Sequence, residues 1–145
     1  MYRLSKEFSF AMGHRLSYHE GLCKNFHGHN YTVIVGVKSE FLNANGMVID
    51  FSDLKAVVVG YLDEMDHALM VNTMDWKFVK TMKDHFPDMK IIETPYEPTA
   101  ENMARDIFLN TRKVLTANLG VKLGIEVDFV TVYETDTSQA TYSDD

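Results

Sequence analysis

Apolar and polar residues alternate from the start of the chain. Tyr2, Leu4, Phe8, Phe10 and Met12 share one parity, and Arg3, Ser5, Glu7 and Ser9 share the other. Neighbouring residues of a strand point to opposite faces, so the row predicts a half-buried β-strand over residues 2–12, broken only by Lys6. Continued slightly past Met12, the same parity aims His14 inward at the strand's end. Residues 15–26 have no period and contain Gly21, which predicts a loop. Alternation returns at Tyr31, Val33, Val35 and Val37 and predicts a second strand over 30–39. Asn43-Ala44-Asn45-Gly46 is a turn signal, and it predicts an antiparallel hairpin whose short second arm is Met47-Val48-Ile49-Asp50.

The period then changes. Leu54, Val57, Val58, Tyr61, Leu62 and Met65 recur on one face of a helix, with Ser52 as its N-cap and Asp53 in its first turn. This helix ends near Asp66-His67. Trp76, Val79 and Met82 predict a short helix around Asp75–His85, stopped by Pro87-Asp88. Ile91-Ile92-Glu93 reads as a short extended piece. Pro95, Pro98 and Thr99 announce another long helix, capped by Thr99, with Glu101 at the positive end of its dipole. Its apolar face is Met103, Ile107, Val114 and Leu115, and Asn118 and Gly120 stop it. Residues 124–135 form the last strand. Ile125, Val127, Phe129 and Tyr133 make one row; Glu126, Asp128, Val130, Val132 and Glu134 make the other. Residues 135–145 read as a polar tail. The order predicts an α+β domain spanning 1–145, with helices on one face of an antiparallel sheet. The other face keeps apolar residues, which predicts a second subunit over it or sheet edges pairing between subunits.

Composition narrows the function classes. The 145 residues are 46% hydrophobic and 24% charged, as in an ordinary soluble domain. A net charge of −7 argues against non-specific nucleic-acid binding and against attachment to an anionic membrane surface. The single cysteine forms no internal disulfide. The N-terminus lacks the apolar stretch of a signal peptide, and no segment has the length of a membrane span, so a cytoplasmic protein is expected.

Candidate chemistry concentrates in Cys23-Lys24-Asn25-Phe26-His27-Gly28-His29-Asn30-Tyr31, which holds the only cysteine and two of the six histidines. His27 and His29 lie two residues apart at the start of the second strand, so their imidazoles share a face. One more nitrogen would complete a three-histidine zinc site with an open fourth position, and His14 is the candidate. Gly28 leaves room for a metal, a substrate or another backbone segment. Cys23 is four residues before His27, close enough for a loop to bring its sulfur near the metal without ligating it. The same residues also suit a hydrogen-bonded histidine pair and a small buried thiol. Asp66-His67 reads equally as a solvated helix end, and Thr99 with Glu101 as plain capping. Glu134 extends an apolar row, where a carboxylate is costly unless paired, so a ligand contact is expected there. His19-Glu20 opens an H-E-x-x-H pattern, but position 23 is cysteine. There is no P-loop and no dinucleotide-type glycine motif.

Six ordered stretches resemble one family. They are Phe8-Ser9-Phe10-Ala11-Met12-Gly13-His14-Arg15-Leu16, Cys23 followed after three residues by His27-Gly28-His29-Asn30-Tyr31, and Val48-Ile49-Asp50-Phe51-Ser52-Asp53-Leu54-Lys55. The others are Leu62-Asp63-Glu64-Met65-Asp66-His67-Ala68-Leu69, Pro98-Thr99-Ala100-Glu101-Asn102 and Val132-Tyr133-Glu134-Thr135. Over nearly its whole length the chain is similar to the 6-pyruvoyltetrahydropterin synthase / 6-carboxytetrahydropterin synthase family. The resemblance implies the tunnelling fold: a four-stranded antiparallel sheet with two long helices on one face, assembled as a homo-hexamer of paired trimers with active sites between subunits. It implies zinc on His14, His27 and His29, Cys23 as catalytic thiol, and His67 supported by Asp66 as second acid/base group. Glu134 would anchor the pterin, helped by Thr99 and Glu101. The implied substrate is 7,8-dihydroneopterin triphosphate. The three-residue spacing before His27 resembles the carboxy-forming type of queuosine biosynthesis, which releases acetaldehyde and triphosphate. The alternatives are the pyruvoyl-forming reaction, which keeps the carbon chain, and a non-catalytic pterin-binding relative. An anionic substrate on an acidic protein needs a local cationic site, for which Arg15, Lys24 and the zinc are candidates.

Overall fold

Two long strands form the spine of the computed structural model, which describes residues 1–119 and 124–144. β1 (Tyr2–His14) and β2 (His27–Ser39) pair antiparallel in unbroken register from Tyr2 opposite Ser39 to His14 opposite His27. The alternation predicted for β1 is observed: Phe10, Met12 and His14 are buried while Arg3, Ser5, Glu7 and Ser9 are exposed. On β2, Tyr31, Val33, Val35 and Val37 are fully buried on the same face. β2 starts four residues before its apolar pattern does, because its first residues pair with the end of β1.

The sheet has six strands in the order β4-β3-β1-β2-β5-β6, a correction to the expected four-stranded antiparallel sheet. β3 (Leu69–Asn72) and β4 (Ile91–Thr94) are parallel to each other, and β3 is parallel to β1, so the sheet is mixed. Four residues are too few to show a period, which is why β3 gave no signal. β5 (Glu126–Thr135) pairs with β2, and β6 (Ser138–Tyr142) folds back on β5 where a polar tail was expected. An edge strand with one wet face is polar, and composition alone does not separate it from a tail. The predicted hairpin arm at 47–50 is not a strand. β2 already has β1 on one edge and β5 on the other, leaving no edge to pair with; Val48 and Ile49 instead enter the core.

β5 also departs from simple alternation. Val37 lies opposite Val127 while Gly36 lies opposite Phe129, so Asp128 is an extra residue, a β-bulge. The bulge flips the parity, and Val127 joins Val130 and Val132 in the core instead of sharing a row with Phe129. The Phe129 ring covers Gly36, where any Cβ would overlap it.

α1 (Phe51–Met65) and α3 (Ala100–Leu119) bury their apolar faces in one cluster with the inward rows of β1, β2 and β5. Each side chain so removed from water contributes about 1.5–3 kcal/mol. The predicted face of α1 is seen, with Tyr61 half-buried and its hydroxyl donating to Asp106 of α3. The N-cap of α1 is Asp50, whose carboxylate accepts from the Ser52 N–H at 2.7 Å, and not Ser52 as expected. α3 adds Ala104, Phe108 and Thr111 to its predicted buried face, and Thr99 caps it as expected through Asn102 N at 3.3 Å. Gly120, its expected stop, lies outside the described residues. α2 (Trp76–His85) links β3 to β4 and buries only Val79. No helix among the described residues is long and apolar enough to cross a membrane.

Candidate functional site

The β1–β2 ladder ends in histidine. His14 and His27 are the last register pair, and His29 lies opposite Met12 two residues back. Residues directly opposite in an antiparallel pair share a face, so all three imidazoles project to the helix side of the sheet. Their ligand atoms lie within 4.8 Å of one another, and among the described residues these three alone form a metal-spaced group. The strands close tightly here because residue 28 is glycine; a Cβ on it would stand 3.2 Å from the Met12 carbonyl oxygen. Of the three uses expected for Gly28, the approach of another backbone segment is the one seen.

Two of the rings are oriented from behind. Nδ1 of His14 donates to the Pro98 carbonyl at 2.7 Å, and Nδ1 of His27 to the Asn25 carbonyl at 2.8 Å. A carbonyl only accepts, so each Nδ1 carries the hydrogen, and in the neutral rings each Nε2 presents a lone pair. These two Nε2 atoms face each other at 3.0 Å. Lone pairs at that separation repel unless a proton or cation lies between them. Burial pushes the His14 pKa below its ordinary 6.5, against the opposing pull of the Pro98 carbonyl and Glu134, which favours the neutral ring. Nε2 of His29 is buried with no hydrogen-bond partner among the described residues. Three nitrogens, two of them on rings fixed by carbonyls, lie close enough to hold a metal ion.

Glu134 sits beside this cluster, as its place in an apolar row implied. Its two carboxylate oxygens lie 4.0 Å from Nε2 of His14 and 4.0 Å from Nε2 of His29. Tyr31, next inward on β2, is fully buried and its hydroxyl has no partner among the described residues. Burial first, and the Glu134 charge second, raise its pKa well above that of an ordinary phenol, so it is a protonated donor.

Asp66 and His67 form a second unit. Adjacency in sequence left open whether their side chains meet; they do, with Nδ1 of His67 2.9 Å from Oδ2 of Asp66. The other oxygen of Asp66 accepts the Ala11 N–H at 2.9 Å, while the His67 N–H donates back to the Ala11 carbonyl. His67 has φ +60°, a backbone conformation uncommon outside glycine, and the clasp on Ala11 holds it there. The Ala11 hydrogen bond, then His67, hold the Asp66 carboxyl below the usual carboxylate range. The imidazole is 80% exposed and borders a shallow groove of about 360 Å³ at the ends of β1 and β2, whose lining includes Gly13, Gly28 and His29 of the cluster. His67 is thus open to solvent, whereas His14 is 1% exposed.

Cys23 lies in a single 3-10 turn (Leu22–Lys24), half-buried, with its carbonyl accepting the Leu16 N–H at 2.9 Å. It is not part of the metal-spaced group. Arg15, one candidate for an anion site, is already paired with Asp75 at 3.1 Å and stacks on the rings of Phe26 and Phe78. Lys24 is exposed at the end of the turn. Thr99 and Glu101 follow Pro98, whose carbonyl orients His14; Thr99 spends its hydroxyl on the helix cap and Glu101 is exposed. Glu97 is a site neighbour that no sequence pattern marks. Its carboxylate accepts the Ser17 N–H at 3.1 Å, the Ser17 hydroxyl and the Asn72 amide at 3.4 Å. A glutamate between two prolines has no periodic context that would single it out.

The profile described as 6-pyruvoyl tetrahydropterin synthase matches residues 3–145. The chain belongs to the 6-pyruvoyl tetrahydropterin synthase family. It is 40% identical over 114 residues to the 6-carboxy-5,6,7,8-tetrahydropterin synthase of Haemophilus influenzae, covering 74% of this chain and 80% of that protein. It is 31% identical to the enzyme of the same name from Aquifex aeolicus, over 99% of both chains. The solved 6-pyruvoyl tetrahydropterin synthase of Caenorhabditis elegans is similar at a TM-score of 0.70 and 26% identity, over 99% of this chain and 96% of that one. Membership accords with the histidine cluster, which is spaced to hold a metal ion, and with the mixed sheet and its helices.

Proposed function

We propose that the protein is a zinc-dependent 6-carboxy-5,6,7,8-tetrahydropterin synthase, converting 7,8-dihydroneopterin triphosphate to 6-carboxytetrahydropterin with loss of acetaldehyde and triphosphate. The observation that carries the metal part is the pair of carbonyl-fixed imidazoles whose lone pairs meet at 3.0 Å beside an unpartnered third nitrogen. His14, His27 and His29 would hold the zinc, which when bound acts as a Lewis acid on the substrate's side-chain hydroxyls. The likeness to relatives named 6-carboxy-5,6,7,8-tetrahydropterin synthase supports the carboxy-forming reaction.

The chain's own groups divide the remaining work. Glu134 accepts from the amino and ring N–H groups of the pterin, a donor face that suits a carboxylate, and Thr99 and Glu101 shape the pocket rim. Cys23 takes or returns a proton at the side-chain carbons. Asp66 fixes the proton of His67 on Nδ1, so Nε2 is free to exchange a proton with substrate. The open His67 and the buried His14 fit a site that takes these groups from different copies of the chain. A homo-oligomer, a hexamer of two trimers in this reading, supplies them. Working in the cytoplasm, the single cysteine stays a free thiol.

The test is a product assay. Zinc-loaded protein is incubated with 7,8-dihydroneopterin triphosphate, the pterin is identified by mass, and acetaldehyde is measured alongside. Carboxypterin with stoichiometric acetaldehyde, both lost in Cys23→Ala, is the expected result. A pyruvoyl product without acetaldehyde moves the protein to the other reaction. Bound zinc and pterin with no turnover leaves a binding protein.

A further inference from the structure

The loop between β1 and β2, residues 15–26, carries Cys23 but has little structure of its own beyond one 3-10 turn. What holds it is external. On one side Arg15 is tied to Asp75 beside α2. On the other, Ser17 gives both its N–H and its hydroxyl to the Glu97 carboxylate. Ser17 directly follows Leu16, whose N–H donates to the Cys23 carbonyl. A hydrogen-bonded path thus runs from Glu97 through Ser17 and Leu16 to the backbone of Cys23.

Glu97 is itself immobilised by the start of α3. Its carbonyl accepts the Thr99 N–H at 2.8 Å and the Asn102 side-chain amide at 2.9 Å. The next carbonyl, that of Pro98, is the one that orients His14. Two consecutive residues therefore face two different parts of the site: the Pro98 backbone sets a metal-cluster imidazole, and the Glu97 side chain sets the loop that carries the thiol. We propose that Glu97 is a positioning residue that holds the Cys23 loop in register with the histidine cluster. This rests on the proposed function only in taking Cys23 as the catalytic thiol. The Glu97 carboxylate is committed to Ser17 and Asn72 and is not part of the histidine cluster. Its effect is geometric, and misplacing a reacting group by about 1 Å costs up to roughly a hundredfold in rate.

Cys23 is the only cysteine, so alkylation of the native, zinc-loaded protein by iodoacetamide reads this loop alone. Glu97→Gln keeps the size of the side chain but removes the charge and one acceptor; Glu97→Ala removes the whole contact. Metal content, alkylation rate at fixed pH, kcat and KM are measured for both variants and the parent. With loop opening no longer resisted by charge-assisted hydrogen bonds, alkylation speeds up by about tenfold in Glu97→Ala and less in Glu97→Gln. Zinc content stays at the parent level, because the Pro98 carbonyl is held by α3 and not by the carboxylate. The kcat falls by about tenfold to a hundredfold with little change in KM. Unchanged alkylation in folded Glu97→Ala overturns the proposal, whatever turnover does. Loss of zinc also overturns it, since the effect would then run through His14. Faster alkylation with unchanged kcat upholds the loop assignment and instead removes the thiol from the reaction.

Discussion

Nε2 of His14 and Nε2 of His27 face each other at 3.0 Å while the Nδ1 of each ring is committed to a backbone carbonyl. Both rings thus present lone pairs to the same point, and His29 adds a third nitrogen without a hydrogen-bond partner among the described residues. A cation at that point would relieve the repulsion between the two lone pairs. Zinc at about 100 times its Kd stabilises by about 2.7 kcal/mol through mass action alone. For a chain of this size that raises Tm by about 5–10 °C. Differential scanning of chelated and zinc-loaded protein measures it. His29→Ala, which removes one ligand without touching the 3.0 Å pair, should abolish most of the shift. A Tm indifferent to zinc would mean that the cluster is held by a shared proton instead.

The Asp66–His67 pair predicts a kinetic signature. Asp66→Asn keeps an oxygen able to accept the Ala11 N–H but turns the other position into a donor facing Nδ1. His67 then loses the partner that fixed its tautomer, and kcat falls by about a hundredfold or more with zinc content unchanged. His67→Ala does the same, and the double variant is no worse than the worse single one, because the two residues act as one unit. Steady-state kinetics on the three variants decides this. Independent, additive losses would show that Asp66 has a separate role.

Gly36 predicts a stability effect remote from the site. The Phe129 ring covers it, and a methyl group there would overlap the ring. Gly36→Ala forces Phe129 out of place or bends β2 against β5 beside the Asp128 bulge, at a cost of about 1–3 kcal/mol in urea unfolding. Phe129→Ala opens the space, so the double variant should recover part of the loss. Simple additivity would place the strain elsewhere.

What could be read from sequence follows from the range of each signal. The inward row of β1, the apolar face of α1 and the three histidines are carried by local spacing, and each lies where spacing puts it. The Asp128 bulge is invisible because it is a mismatch in pairing between strands far apart in the chain, beside the Phe129 ring that covers Gly36. The four-residue strands β3 and β4 and the edge strand β6 are fixed by their neighbours more than by their own residues. Likewise the site's visible members are histidine, cysteine and carboxylate motifs. Its hidden ones, the Pro98 and Asn25 carbonyls and the Glu97 carboxylate, act through backbone geometry that spacing does not encode.

The exposure of His67 beside a half-buried to buried histidine cluster gives the sharpest prediction about assembly. Cys23 and the metal cluster belong to one stretch of chain, whereas His67 follows α1 and opens onto a solvent-facing groove. Cys23→Ala and His67→Ala should each be inactive alone. When the two variants are unfolded together and reassembled in equal amounts, about a quarter of the sites pair an intact Cys23 with an intact His67 from another copy. Activity near that fraction of the parent's is the expected reading in a product assay normalised to total sites. Recovery requires that the groups come from different copies, because no single chain in the mixture has both. Reassembled oligomers that remain inactive would mean that each chain supplies its own His67.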